Sequence, residues 1–163
     1  MAPPRLSVLA FALLCAFAGG AAANPTGANV VAGKAEVSTS GKTLTVTNAP
    51  GTIINWQGFS IAPDELTRFI QQSASSAVLN RVVGQDPSSL LGRLQSNGRV
   101  FLINPNGIVF GQGARIDVGG LVASTLDLGD ADFLAGRLSF TGPAAAGALV
   151  QLGQITTASG GQV

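Results

Sequence analysis

Short apolar runs recur along this chain, each punctuated by Gly or Asn, and their rhythm is that of strands rather than helices. Lys34-Ala35-Glu36-Val37-Ser38 and Thr43-Leu44-Thr45-Val46-Thr47 alternate polar and apolar residues, the period of a half-buried strand. Arg115-Ile116-Asp117-Val118 repeats the pattern. Residues 100–103, 108–110 and 121–123 are continuously apolar, as expected where both faces of a strand are covered. Gln154-Ile155-Thr156-Thr157 reads as another short strand ahead of Gly160-Gly161. Two of the apolar runs are joined by Asn104-Pro105-Asn106-Gly107. Proline fixes φ at about −65°, while Asn and Gly tolerate positive φ, so this is a strand-turn-strand signal with a mechanism.

Many short strands and frequent Gly turns fit an all-β sandwich, a barrel or a solenoid. Bends built from Asn and Gly, in place of two-residue hairpin turns, favour the solenoid. With coils on the order of 20 residues it would have about six or seven of them. Three segments carry helical signals and are expected as local excursions. Residues 63–70 begin with Pro63, Asp64 and Glu65 and continue with helically spaced apolar residues, although Leu66, Arg68 and Ile70 also read with period two. Residues 86–92 and 130–136 look like single helical turns, each ending at a Gly.

The amino-terminal segment changes the picture. Met1 to Arg5 carries one positive charge, residues 6–17 are almost wholly apolar, and small residues follow up to Ala21-Ala22-Ala23. Residues 1–23 therefore read as a secretory signal peptide cut before Asn24. The apolar stretch is shorter than the roughly 20 residues of a spanning helix, so no stable membrane insertion is expected. Cys15 lies inside the apolar run and lacks a small residue just ahead of it, unlike a lipidation site. Residues 24–163 form one domain with no linker or charge run to divide them.

Charge and residue types exclude several functions. Arg5 belongs to the leader, and the rest of the chain has basic and acidic residues in equal number, which argues against nucleic acid as a partner. The chain has no His, and its single Cys is Cys15. The usual zinc ligands and the Ser-His and Cys-His nucleophile pairs are thus missing. No cofactor or metal is expected, nor is a disulfide in the exported part.

Four segments, in order, resemble the amino-terminal secretion domain of filamentous haemagglutinins. They are Ile54-Asn55-Trp56-Gln57-Gly58-Phe59-Ser60-Ile61, then Val78-Leu79-Asn80-Arg81-Val82, then residues 91–111 around the Asn-Pro-Asn-Gly turn, and residues 113–125. The resemblance covers roughly residues 28–163. It implies a right-handed parallel β-helix with short antiparallel additions at the amino-terminal end, and export by two-partner secretion. The implied partners are the Sec machinery and an outer-membrane β-barrel transporter with POTRA-type periplasmic domains. The implied location is the surface or medium of a Gram-negative bacterium, reached through the periplasm, and a monomer is expected. Of the family's two markers, the Asn-Pro-Asn-Gly motif stands at 104–107; the Asn-Pro-Asn-Leu type is not recognisable.

Each residue singled out also has a structural reading. Asn104, Pro105, Asn106 and Gly107 are either an address read by the transporter or a turn that shapes a coil. Asn55, Asn80 and Asn97 suit turn or ladder positions where side-chain amides satisfy backbone groups. Trp56 and Phe59 suit core packing. Arg81, Arg93 and Arg99 are expected at solvated strand or loop positions, the alternative being an electrostatic patch for the partner.

Two other functions compete with a secretion domain. A polysaccharide-processing β-helix needs clustered carboxylates, and Asp117, Asp127, Asp130 and Asp132 lie near one another, but surface turns account for them. An adhesion module binding host or surface glycans would want aromatic platforms, whereas Tyr is absent and Trp occurs once. A non-enzymatic secretion domain is the reading the residues favour. The last residues, Gly160-Gly161-Gln162-Val163, read like the start of a strand without a cap, which is expected of a solenoid cut short.

Overall fold

The computed structural model describes residues 24–143 and 146–163; the leader read at 1–23 lies outside the described residues. β1 (Asn29–Ala32) and β2 (Ala35–Ser40) precede the coils. The first coil carries β3 (Thr43–Asn48) and β4 (Thr52–Trp56), and the second β5 (Leu66–Ile70), β6 (Ala77–Val82) and β7 (Ser88–Leu90). The third carries β8 (Arg93–Ser96), β9 (Arg99–Ile103) and β10 (Ile108–Phe110). The fourth begins with β11 (Arg115–Val118) and β12 (Gly120–Ser124). It then leaves the coil for β13 (Asp127–Leu128), α1 (Asp130–Leu134) and β14 (Phe140–Thr141), and returns as β15 (Leu149–Gln151). β16 (Gln154–Thr157) starts a further coil.

Stacking these coils gives three faces of parallel strands, β4-β6-β9-β12, β3-β5-β8-β11-β16 and β7-β10-β15. β1 pairs antiparallel with β4, and β2 antiparallel with β3, so the fold is the expected all-β parallel β-helix with antiparallel additions at its amino-terminal end. One vertical ladder runs Thr43, Leu66, Arg93, Arg115, Gln154. The first three repeats therefore advance the chain by 23, 27 and 22 residues (43 to 66, 66 to 93, 93 to 115), and the fourth by 39 (115 to 154).

The coils number about four, not six or seven. Residues 29–40 hold the antiparallel strands β1 and β2, and residues 127–141 lie outside the coil. Neither stretch adds a rung.

Parallel strands are stable when both faces are covered, and the face β4-β6-β9-β12 shows how this chain does it. Ile54, Val78, Val100, Leu102 and Leu121 point inward and join Trp56, Phe59 and Phe69 in the main core. Ile53, Leu79, Phe101 and Ile103 point outward, where the insertion covers them with Leu128 and Phe133. The continuous apolar run at 100–103 therefore fills two cores, one on each side of the sheet.

Trp56 and Phe59 are buried in edge-to-face contact at 5.7 Å. Two of the three helical expectations fail. Residues 63–70 form a turn, with Glu65 N–H donating to Ala62 O, followed by β5, and residues 86–92 hold β7. β5 lies between the parallel strands β3 and β8, while β7 pairs with β10 on one side and bridges Ile61 through Leu90 on the other; an isolated helical turn, costly to nucleate, does not outcompete these hydrogen bonds. The third segment is helical, as α1, with Asp130 and Asp132 in its first turn where the helix dipole favours acids.

Candidate functional site

The Asn104–Gly107 turn forms the corner between β9 and β10 in the third coil. Asn104 is fully buried, and Pro105 and Asn106 face solvent. Asn104 Nδ2 donates to Asp86 O and to Ser88 Oγ, both at 3.0 Å, which ties the turn to the coil before it. Asn104 Oδ1 accepts from Asn106 N–H at 3.0 Å and from Asn106 Nδ2 at 3.0 Å, closing the turn on itself. Asn106 Nδ2 also donates to Gly84 O at 2.9 Å. Gly107 N–H closes the turn onto Asn104 O at 3.1 Å, and Gly107 sits at φ 121°, a conformation L side chains rarely adopt.

The same corner grips both ends of the insertion in the fourth coil. Asn104 N–H donates to Ser124 O, the last residue before the chain leaves the coil. On its return, Gly147 N–H donates to Pro105 O at 2.8 Å, and Ile108 N–H donates to Ala148 O at 3.0 Å. The approach is tight: a Cβ on Gly147 would lie 2.4 Å from the carbonyl carbon of Asn106. The turn is thus a clasp joining the second, third and fourth coils.

The other singled-out residues fall in separate places. Asn80 is buried in the core, where its Oδ1 accepts from Trp56 Nε1 at 2.9 Å and its Nδ2 donates to Phe101 O at 3.2 Å. Asn97, at an exposed corner, captures the backbone of Gln71, accepting from its N–H and donating to its carbonyl, both at 2.7 Å. Asn55 lies beside Arg81, with Arg81 Nη1 3.4 Å from its Oδ1.

Arg81 departs from the solvated position expected of it. Its side chain is only 16% exposed, on the outer face of β6, and donates to Asp127 Oδ1 at 2.9 Å, Asp130 Oδ1 at 2.8 Å and Leu128 O at 2.6 Å. Burial opposes its charge, but the hydrogen bonds it donates to Asp127 and Asp130, together with their negative charges, outweigh burial and raise the pKa of the guanidinium. Arg93 and Arg99 are exposed. The four acids are also separated: Asp127 and Asp130 serve Arg81, Asp132 pairs with Arg137, and Asp117 is exposed on β11.

Sequence reasoning missed Gln71, whose Nε2 donates to Ser96 Oγ and Arg99 O at 3.0 Å while its backbone is held by Asn97. It also missed the ion-pair partners of Arg81, which lie 46 and 49 residues away, beyond any local periodicity.

A parallel β-helix with antiparallel amino-terminal strands, clasped at an Asn-Pro-Asn-Gly corner, is the architecture of an exoprotein secretion domain. The sequence matches the TPS secretion domain family over residues 21–163, and the chain belongs to that family. A heme/hemopexin-binding protein of Haemophilus influenzae (strain Rd) is 40% identical over 129 residues, spanning 76% of this chain and 14% of that protein. A second protein of that name from Haemophilus influenzae is 43% identical over 75 residues, 46% of this chain and 8% of that one. The crystal structure of the HMW1 secretion domain from Haemophilus influenzae superposes with a TM-score of 0.79 at 40% identity, covering 82% of this chain and 37% of that chain. The chain thus spans a small part of the curated relatives it matches.

Proposed function

We propose that this domain is the export address of a larger exoprotein. It is recognised by an outer-membrane β-barrel transporter with POTRA-type periplasmic domains after the Sec machinery has delivered it to the periplasm of a Gram-negative cell. Membership of the TPS secretion domain family over residues 21–163 carries this reading. The chemistry suits the task, since Cys15 is the only cysteine and no disulfide within the domain obstructs threading. On this reading the domain is a non-enzymatic monomer, and what the exoprotein does once outside belongs to other parts of it. Haem and hemopexin binding belong by name to those relatives as whole proteins, of one of which this His-free domain spans 14%.

The test is secretion of the chain from a Gram-negative host with and without its cognate barrel. Appearance in the medium only when the barrel is present supports the reading. Retention in the periplasm in both cases refutes it.

A further inference from the structure

We propose that residues 127–141 form a hinged flap. The flap unlatches from the outer face of β4-β6-β9 as one unit while the β-helix stays folded, and so bares an apolar strip of Ile53, Leu79, Phe101 and Ile103. Three observations carry this. First, the flap has little stability of its own. β13 and β14 pair over two residues each, and α1 has five residues, well below what holds a hairpin or a helix together in isolation. It is ordered by docking, so it leaves as a unit.

Second, the docked contacts are few and separable from the coil. Leu128 and Phe133 cover the strip, Phe133 meeting Phe101 edge-to-face at 5.2 Å, and a single side chain, Arg81, provides the ion pairs across this seam. These are side-chain contacts, and the backbone ladder between β6 and β9, from Ala77 with Arg99 to Arg81 with Ile103, does not depend on them. Third, the hinge points are fixed. Ser124 and residues 147–148 stay bonded to the Asn104–Gly107 corner, so opening the flap breaks no hydrogen bond of that clasp. The strip thus revealed crosses three coils and is apolar at its outward positions except Asn55, Arg81 and, at its edge, Arg99.

Thiol labelling reads the motion directly. In a Cys15→Ser background no other thiol is present. Leu79→Cys places a thiol under the flap, and Val100→Cys places one in the inner core, at positions that are both fully buried. With a soluble disulfide reagent, Leu79→Cys should react at least about 100-fold faster than Val100→Cys, because local opening is more frequent than global unfolding. Adding Arg81→Gln should accelerate the outer thiol by about 10-fold or more, the worth of lost charge-assisted hydrogen bonds, and leave the inner thiol unchanged. Ile53→Cys is a second outer reporter should Leu79→Cys fold poorly. Equal labelling of inner and outer thiols, or equal acceleration of both by Arg81→Gln, overturns the proposal.

Discussion

Replacing Asn104 by Ala tests how much of the Asn-Pro-Asn-Gly motif is structural. The side chain is fully buried and makes four hydrogen bonds, to Asp86 O, Ser88 Oγ, Asn106 N–H and Asn106 Nδ2. At about 1 kcal/mol net for each bond the loss is near 4 kcal/mol. Asn106 lies in solvent, and water recovers part of its share. Ser88 is fully buried and keeps an unmet hydroxyl. A net destabilisation of about 3 kcal/mol follows.

Urea denaturation checks it. With a slope of about 2 kcal/mol/M, the midpoint should fall by about 1.5 M without a change in slope. A midpoint within about 0.3 M of the parent would refute the reasoning. Export of Asn106→Ala should then be compared with that of Asn104→Ala. Asn106 is exposed and Asn104 is not, so a motif read on the surface loses export with the first at little cost in stability. A motif that acts as a clasp loses export and stability together with the second.

Gly107→Ala should cost about 1–3 kcal/mol, because φ 121° strains any L side chain and the new Cβ would lie 3.1 Å from Ala148 O; a thermal melt within 1 °C of the parent would contradict this. Trp56→Phe removes the donor to Asn80 Oδ1 inside the core and should cost about 1–3 kcal/mol beyond the change in volume. Converting Asn80 to Leu in the same chain should recover part of that loss, since the orphaned acceptor goes with it; a double-mutant cycle with no coupling would refute the assignment.

The alternation of polar and apolar residues was enough to place the strands at 35–40, 43–48 and 115–118 within a residue or two, because side chains on a strand alternate whatever it pairs with, and a continuous apolar run placed the one at 99–103. The turn at 104–107 was equally legible, with Gly107 alone of the four at positive φ; Asn104 and Asn106 are held there by side-chain hydrogen bonds to the coil before, which the local sequence does not show. Other features were decided by parts of the chain that only the coiling brings together. Residues 63–70 and 86–92 carry local helical cues that lose to pairing with neighbouring coils. The number of coils depended on which residues leave the solenoid, and the detour at 127–141 has no periodic mark of its own. The role of Arg81 was the least visible, since a lone arginine in a strand reads as solvated until Asp127 and Asp130 are folded back across it. Local physics fixes the conformation of each short segment, but a solenoid is held by contacts between residues some twenty to fifty positions apart, and those exist only once the coils have stacked.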